Sequence, residues 1–227
     1  MTDGPTTPPP SPSPSPSGMP GAPASLVDRV RNILVTPKTE WARIDAEPSS
    51  VASIFTGYVM ILAAIGPIAM IIGQQLIGIQ FFGVTLKPSI GYSLGSAAFT
   101  YVLSLVSVYV SALVIDALAP SFGGTKDFLK AFKVAAYAPT AAWLAGIFGI
   151  IPMLGFLAIV GLYSLYLLVV GLPMLMRVPA DKSVGYIVVV IIVQIVLYAL
   201  AMFIVGALVV AFFGGLGAMT GGPVIRY

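Results

Sequence analysis

The sequence predicts an all-α polytopic membrane protein. Five transmembrane helices follow a short N-terminal amphipathic helical segment and a disordered Pro/Ser-rich tail. Three observations predict this. The chain is 58% hydrophobic and only 8% charged, against about 25% charged residues in a soluble globular domain, so lipid must cover much of its surface. Long apolar runs recur at lengths near the ~20 residues that a helix needs to cross hydrocarbon. Basic residues gather in alternate connecting segments, as short cytoplasmic loops require.

Residues 1–24 are mostly Pro, Ser, Thr, Gly and Ala. Such a segment has little to bury and reads as a solvated, disordered tether. Its PxxP spacing, as from Pro9 to Pro12, lacks a flanking Arg or Lys. Nothing here resembles a cleavable signal peptide, because basic and apolar stretches are both missing before Pro23.

Residues 25–48 form the amphipathic segment. Ser25 with Asp28 three residues on is a helix start, and Leu26, Val27, Val30, Ile33 and Leu34 share a face. Thr36-Pro37 ends that helix and begins a second, with Pro37 at its first position. The second helix carries Trp41 and Ile44 among Lys38, Glu40, Arg43 and Asp45, and Pro48 closes it. A basic amphipathic helix with an indole, beside a first span, suits the lipid interface. Val30, Ile33, Leu34 and Trp41 are the residues expected at lipid; packing on the protein or a partner is the alternative.

Residues 49–213 hold the spans, expected at about 51–79, 92–119, 134–151, 153–176 and 184–213. Gly149, Pro152 and Gly155 break the long apolar run from Val134 to Met176 into two crossings. Gly66-Pro67 kinks the first span, since Pro67 donates no hydrogen bond to the helix. A short Gly-rich tail, 214–227, follows. With the N-terminus inside, Arg29, Arg31, Lys38, Arg43, Lys126, Lys130, Lys133, Arg177 and Lys182 fall on the cytoplasmic side, and only Lys87 and Arg226 outside. The C-terminus is then outside.

Composition excludes much chemistry. The chain has no Cys and no His. Disulfides, thiolate sites, Ser-His and Cys-His catalysis, and zinc or haem sites built on these side chains are all absent. No phosphate-binding Gly-rich loop ending in Gly-Lys-Ser/Thr occurs, and no Ser and Lys lie together deep in a span. No cofactor is expected, and the scattered charges form no nucleic-acid patch.

Asp116 is the one acid within an apolar span, and an intramembrane carboxylate is a candidate ion or proton site. It lies near the inner end of the second span, where Lys126, Lys130 or Lys133 can supply a counter-charge; that structural role is the expectation. Ser93, Ser96, Thr100, Ser104, Ser107 and Ser111 recur every three or four residues along the same span. Small hydroxyl residues on one face let helices approach closely. A polar pathway is the alternative, although Asp116 points away from the stripe. Gln74, Gln75 and Gln194 are further interhelical hydrogen-bonding candidates. Gly91 with Gly95, and Gly217 with Gly221, have GxxxG spacing at span margins.

Three segments together resemble the Yip (Ypt-interacting protein) domain. They are Leu26 to Trp41, with Pro37 and Trp41 ahead of the first span; Phe132-Lys133-Val134-Ala135-Ala136-Tyr137-Ala138-Pro139; and Leu162-Tyr163-Ser164-Leu165-Tyr166-Leu167-Leu168-Val169-Val170-Gly171-Leu172. The similarity runs over about residues 26–213, carried more by the order of parts than by any one motif. It implies a five-helix membrane domain with a cytoplasmic N-terminus. Eukaryotic relatives act in vesicle trafficking and contact Rab-type GTPases. This chain lacks their acidic Asp-Leu-Tyr-Gly-Pro signature and looks more like a bacterial member, for which the family implies no established activity. The expected function is therefore a non-enzymatic integral membrane protein that organises or binds membrane components. Lipid, other membrane proteins and self-association are its expected contacts, and the bacterial inner membrane its expected location. A small transporter or channel with a polar path near Asp116 is the alternative.

Overall fold

The computed structural model describes residues 24–81 and 84–213. The expectations for the Pro/Ser-rich tail, its PxxP spacing, the Gly217–Gly221 pair and the C-terminal tail lie outside the described residues.

Helix α1 (Leu26–Val35) begins where Ser25 accepts a hydrogen bond from the Asp28 backbone. Helix α2 (Pro37–Ala46) starts with Pro37, whose missing N–H the first turn does not need. Five helical segments long and apolar enough to cross a membrane follow: span 1 (Val51–Leu76), span 2 (Ile90–Phe122), span 3 (Phe128–Ile150), span 4 (Met153–Met176) and span 5 (Ala180–Phe212). Span 2 is central and touches spans 1, 3 and 5, while α2 packs on span 4.

Span 1 is not a uniform helix. Its first turns widen to a π-helical stretch at Phe55–Val59, and the helix breaks at Ala64 before resuming at Ile65–Leu76. Pro67 would otherwise bond the carbonyl of Ala63, so the break falls where the ladder is missing a donor. Spans 3 and 4 part at Ile151, which is extended between two 3-10 stretches, Gly146–Ile150 and Pro152–Leu162.

Two features differ from the sequence reading. A short antiparallel ribbon, β1 (Ile79–Phe81) with β2 (Val84–Leu86), joins spans 1 and 2, with Ile79 opposite Leu86. Its signal is the β-branched and aromatic run from Ile79 to Leu86, most of which the sequence reading leaves in the connection between the two spans. Span 3 also begins earlier than expected. Asp127 caps it by accepting from the Lys130 backbone at 3.1 Å, so Lys130 and Lys133 are helical. Sequence reasoning ended the span at these charges; their partners, described below, let the helix keep them.

Glycine sets the approach of spans 1 and 3, but at other positions than the GxxxG pairs. A Cβ at Gly73 would lie 2.4 Å from the Gly149 carbonyl oxygen, and one at Gly146 would lie 2.8 Å from the Gly66 Cα. A Cβ at Gly91 would meet nothing within 4 Å.

Candidate functional site

The three segments singled out in the sequence converge at one end of the bundle. Asp45, just before span 1, meets Lys130 at the start of span 3 at 2.8 Å and Arg177 after span 4 at 3.2 Å. The Thr125 backbone N–H donates to the Met176 carbonyl at 2.8 Å. The N-terminal helices and the connections between spans 2 and 3 and spans 4 and 5 therefore lie together. This basic end collects the nine residues from Arg29 to Lys182 named above.

Its centre is a buried ionic and aromatic cluster. Arg29, on the inward face of α1, donates from Nη1 to Glu40 Oε1 at 2.6 Å and from Nη2 to Glu47 Oε2. Arg29 and Glu40 are both buried. Burial opposes the Arg29 charge. The Glu47 hydrogen bond and the fields of Tyr137, Glu47 and Glu40 outweigh it and hold the guanidinium above its ordinary pKa. A planar fork suits this place, because it reaches two carboxylates and lies 5.5 Å from the Tyr137 ring centre.

Lys133 is buried and donates to the carbonyls of Ile44 and Glu47, both at 2.7 Å. These carbonyls stand at the C-terminal end of α2, where partial negative charge accumulates. One ammonium thus ties span 3 to the end of α2.

Aromatic packing completes the joint. The Trp41 ring meets Tyr137 edge-on at 6.4 Å, and Tyr137 meets Tyr58 at 4.7 Å. Tyr58 lies in the π-helical stretch of span 1, and its hydroxyl is 2.7 Å from Thr140 Oγ1. Across the cluster, Gly171 of span 4 leaves room for the indole: a Cβ there would lie 2.4 Å from Trp41 Cε2. The indole N–H itself is buried without a hydrogen-bond partner.

These positions correct the lipid-interface expectation. Ile33 and Trp41 are fully buried in the protein core, and Val30 and Leu34 are half-buried. Helical spacing identifies an apolar face but not what covers it; here spans 3 and 4 do. The outward face of α1 is instead Val27, Arg31 and Val35.

The hydroxyl stripe divides by partner. Ser111 donates to Gln194 of span 5 at 2.9 Å. Ser93 donates to Gln74 at 2.7 Å and accepts from Gln75 at 2.8 Å. Ser96, Thr100 and Ser104 donate to carbonyls of their own helix, at Ser93, Ser96 and Tyr101. Ser107 is half-buried. Hydroxyl spacing reveals a face; only the glutamines opposite decide which hydroxyls cross.

Asp116 is buried, and its Oδ1 has no hydrogen-bond partner. The expected lysine pairing does not form: Lys130 is taken by Asp45 and Lys133 by the α2 carbonyls, and no ion pair joins Lys126 to Asp116 among the described residues. The neighbouring Tyr186 hydroxyl donates to the Ile115 carbonyl at 2.6 Å instead. No group of three or more acidic side chains is placed to hold a metal among the described residues.

The chain is 28% identical over 155 residues to inner membrane protein YohC of Escherichia coli K12, a stretch covering 66% of this chain and 80% of that protein. The YohC of E. coli O6:H1 is similar to the same degree. No solved structure matches. The Yip1 domain matches residues 31–202, a stretch holding Trp41, Lys133, Tyr137 and Gly171, and this chain belongs to the Yip1 domain family.

Proposed function

We propose that this protein is a non-enzymatic, multi-pass membrane protein that binds or organises other membrane components. Its basic end and N-terminus face the cytoplasm, its C-terminus lies outside, and a bacterial inner membrane holds it, as the names of its relatives suggest. One observation carries the reading. The N-terminal helices and span 3 spend their polar groups on one another: Arg29 on Glu40 and Glu47, Lys133 on the end of α2. Such a joint fixes a platform of helices at the membrane surface and leaves its outer face for partners.

Affinity purification of the full chain from native membranes tests this. Recovery of a defined set of membrane proteins or lipids in near-stoichiometric amounts is expected. Purification with nothing retained, together with ion flux in reconstituted vesicles, would replace the reading with its alternative.

That alternative is a small transporter or channel, favoured by the unpartnered carboxyl oxygen of Asp116. It requires robust wild-type flux that disappears in Asp116→Asn at matched protein density.

A further inference from the structure

A groove of about 390 Å³ opens beneath α1, between spans 3 and 4. Ala141, Ala145 and Phe148 form one wall, Val160 and Tyr163 the other, and Leu34 of α1 contributes at its edge. These side chains are apolar except for the Tyr163 hydroxyl, which donates to the Leu34 carbonyl at 2.9 Å and so pins α1 beside the groove. Both walls belong to membrane-spanning segments. An apolar concavity there faces hydrocarbon and fits an acyl chain.

The charges beside it select the lipid. Arg31 stands three residues before Leu34 and Lys38 four residues after, and both are exposed. The acids of the same two helices are mostly withdrawn. Glu40 is buried on Arg29, and Asp45 and Glu47 are half-buried on Lys130 and Arg29. Asp28 is the exposed acid, and it accepts a hydrogen bond from Ser25. Folding therefore hides acids and leaves Arg31, Lys38 and Arg43 outward, beside the exposed apolar side chains of Val27 and Val35. Cations next to an apolar groove match a phospholipid that carries net negative charge.

We propose that this groove holds one acyl chain of an anionic phospholipid whose headgroup is met by Arg31 and Lys38. The inference rests on the reading of the protein as a binder of membrane components and names one such component. Its test uses the full chain, delipidated in mild detergent and supplied with either phosphatidylglycerol or phosphatidylcholine. Native mass spectrometry counts the lipids retained. One phosphatidylglycerol should survive conditions that strip the rest, with phosphatidylcholine retained about tenfold less. Arg31→Gln with Lys38→Gln should remove that preference at an unchanged unfolding temperature, because both side chains are exposed. Val160→Trp, which fills the groove from a position already half exposed, should release both lipids. Equal retention of the two lipids by the wild type would overturn the proposal, as would unchanged phosphatidylglycerol retention in Val160→Trp. A chain that retains no lipid yet co-purifies with a stoichiometric membrane protein would overturn it while leaving the wider reading intact.

Discussion

Gly171 leaves the space that Trp41 fills: a Cβ on Gly171 would stand 2.4 Å from the indole Cε2 and 2.6 Å from Cζ2. The ring also meets Tyr137 edge-on, is fully buried, and cannot retreat without reopening the joint between α2 and span 4. Gly171→Ala should therefore destabilise the protein by about 1–3 kcal/mol, the usual cost of overpacking. Gly206→Ala is the control, since a Cβ there meets nothing within 4 Å and alanine is the better helix former by about 0.5–1 kcal/mol. Thermal unfolding in detergent should separate the two in opposite directions. Equal unfolding temperatures would show that Trp41 is not confined as described.

Breaking the Arg29 pair should cost more. Arg29→Met keeps the stem and strands two carboxylates with side-chain exposures of 4% and 12%. Removing one partner of a buried pair typically costs about 3–5 kcal/mol. Arg29→Met combined with Glu40→Gln and Glu47→Gln should recover part of the loss, because no charge is then left alone. Arg29→Lys should not recover it, since an ammonium lacks the fork that reaches both carboxylates. Loss of the α1–α2 contact can be followed by limited proteolysis between Val35 and Ser50. A single mutant as protease-resistant as wild type would count against the cluster as the anchor.

Asp45 provides the contrast. It bridges Lys130 and Arg177, but the side chains are 20%, 22% and 61% exposed respectively. Pairs that water still reaches are worth about 0–1 kcal/mol and weaken with salt. Asp45→Asn should lower the unfolding temperature only slightly, and by less in high salt. A loss as large as that of Arg29→Met would mean that Asp45 carries more of the joint than its exposure allows.

Much of this fold was legible in the sequence because hydrocarbon imposes a length on every crossing, and because Ser25, Pro37 and Pro67 act through local backbone chemistry. What lay hidden depended on partners far along the chain. Lys130 and Lys133 looked like the end of a span, yet Asp45 and the α2 carbonyls let them continue as helix. Helical spacing places Ile33 and Trp41 on an apolar face that suits lipid, because nothing local to α1 and α2 announces Gly171 or Tyr137. Gly66 has a local signal only as a kink with Pro67, and Gly73 and Gly146 have none, because their close approach pairs two spans with no fixed spacing between them.

The proposed topology, in which short loops rich in Lys and Arg stay in the cytoplasm, can be tested directly. The basic end unites the N-terminal helices with the connections after spans 2 and 4, so reporters fused after Lys126 and after Tyr227 should fall on opposite sides, the first in the cytoplasm. Both reporters on one side would reject an odd number of crossings.

Asp116 carries the last prediction, and the structure sets its direction. Had a lysine paired with it, Asp116→Asn would leave that lysine alone and lower stability. Instead Lys130 and Lys133 are engaged elsewhere, and Oδ1 of Asp116 is buried without a donor. Burying a polar group without its partner costs about 1–3 kcal/mol, and more if the group is charged. The side chain thus weakens the fold, and its neutral isostere removes part of that penalty. Asp116→Asn should unfold at the same temperature as wild type or higher, with unaltered insertion in the membrane. Asp116→Leu should be at least as stable, since no donor on the protein loses an acceptor. A marked loss of stability in Asp116→Asn would reveal a counter-charge at this site and restore the lysine pairing. Unchanged or raised stability leaves the carboxylate without a structural reason, and the flux comparison of wild type with Asp116→Asn then decides whether it has a functional one.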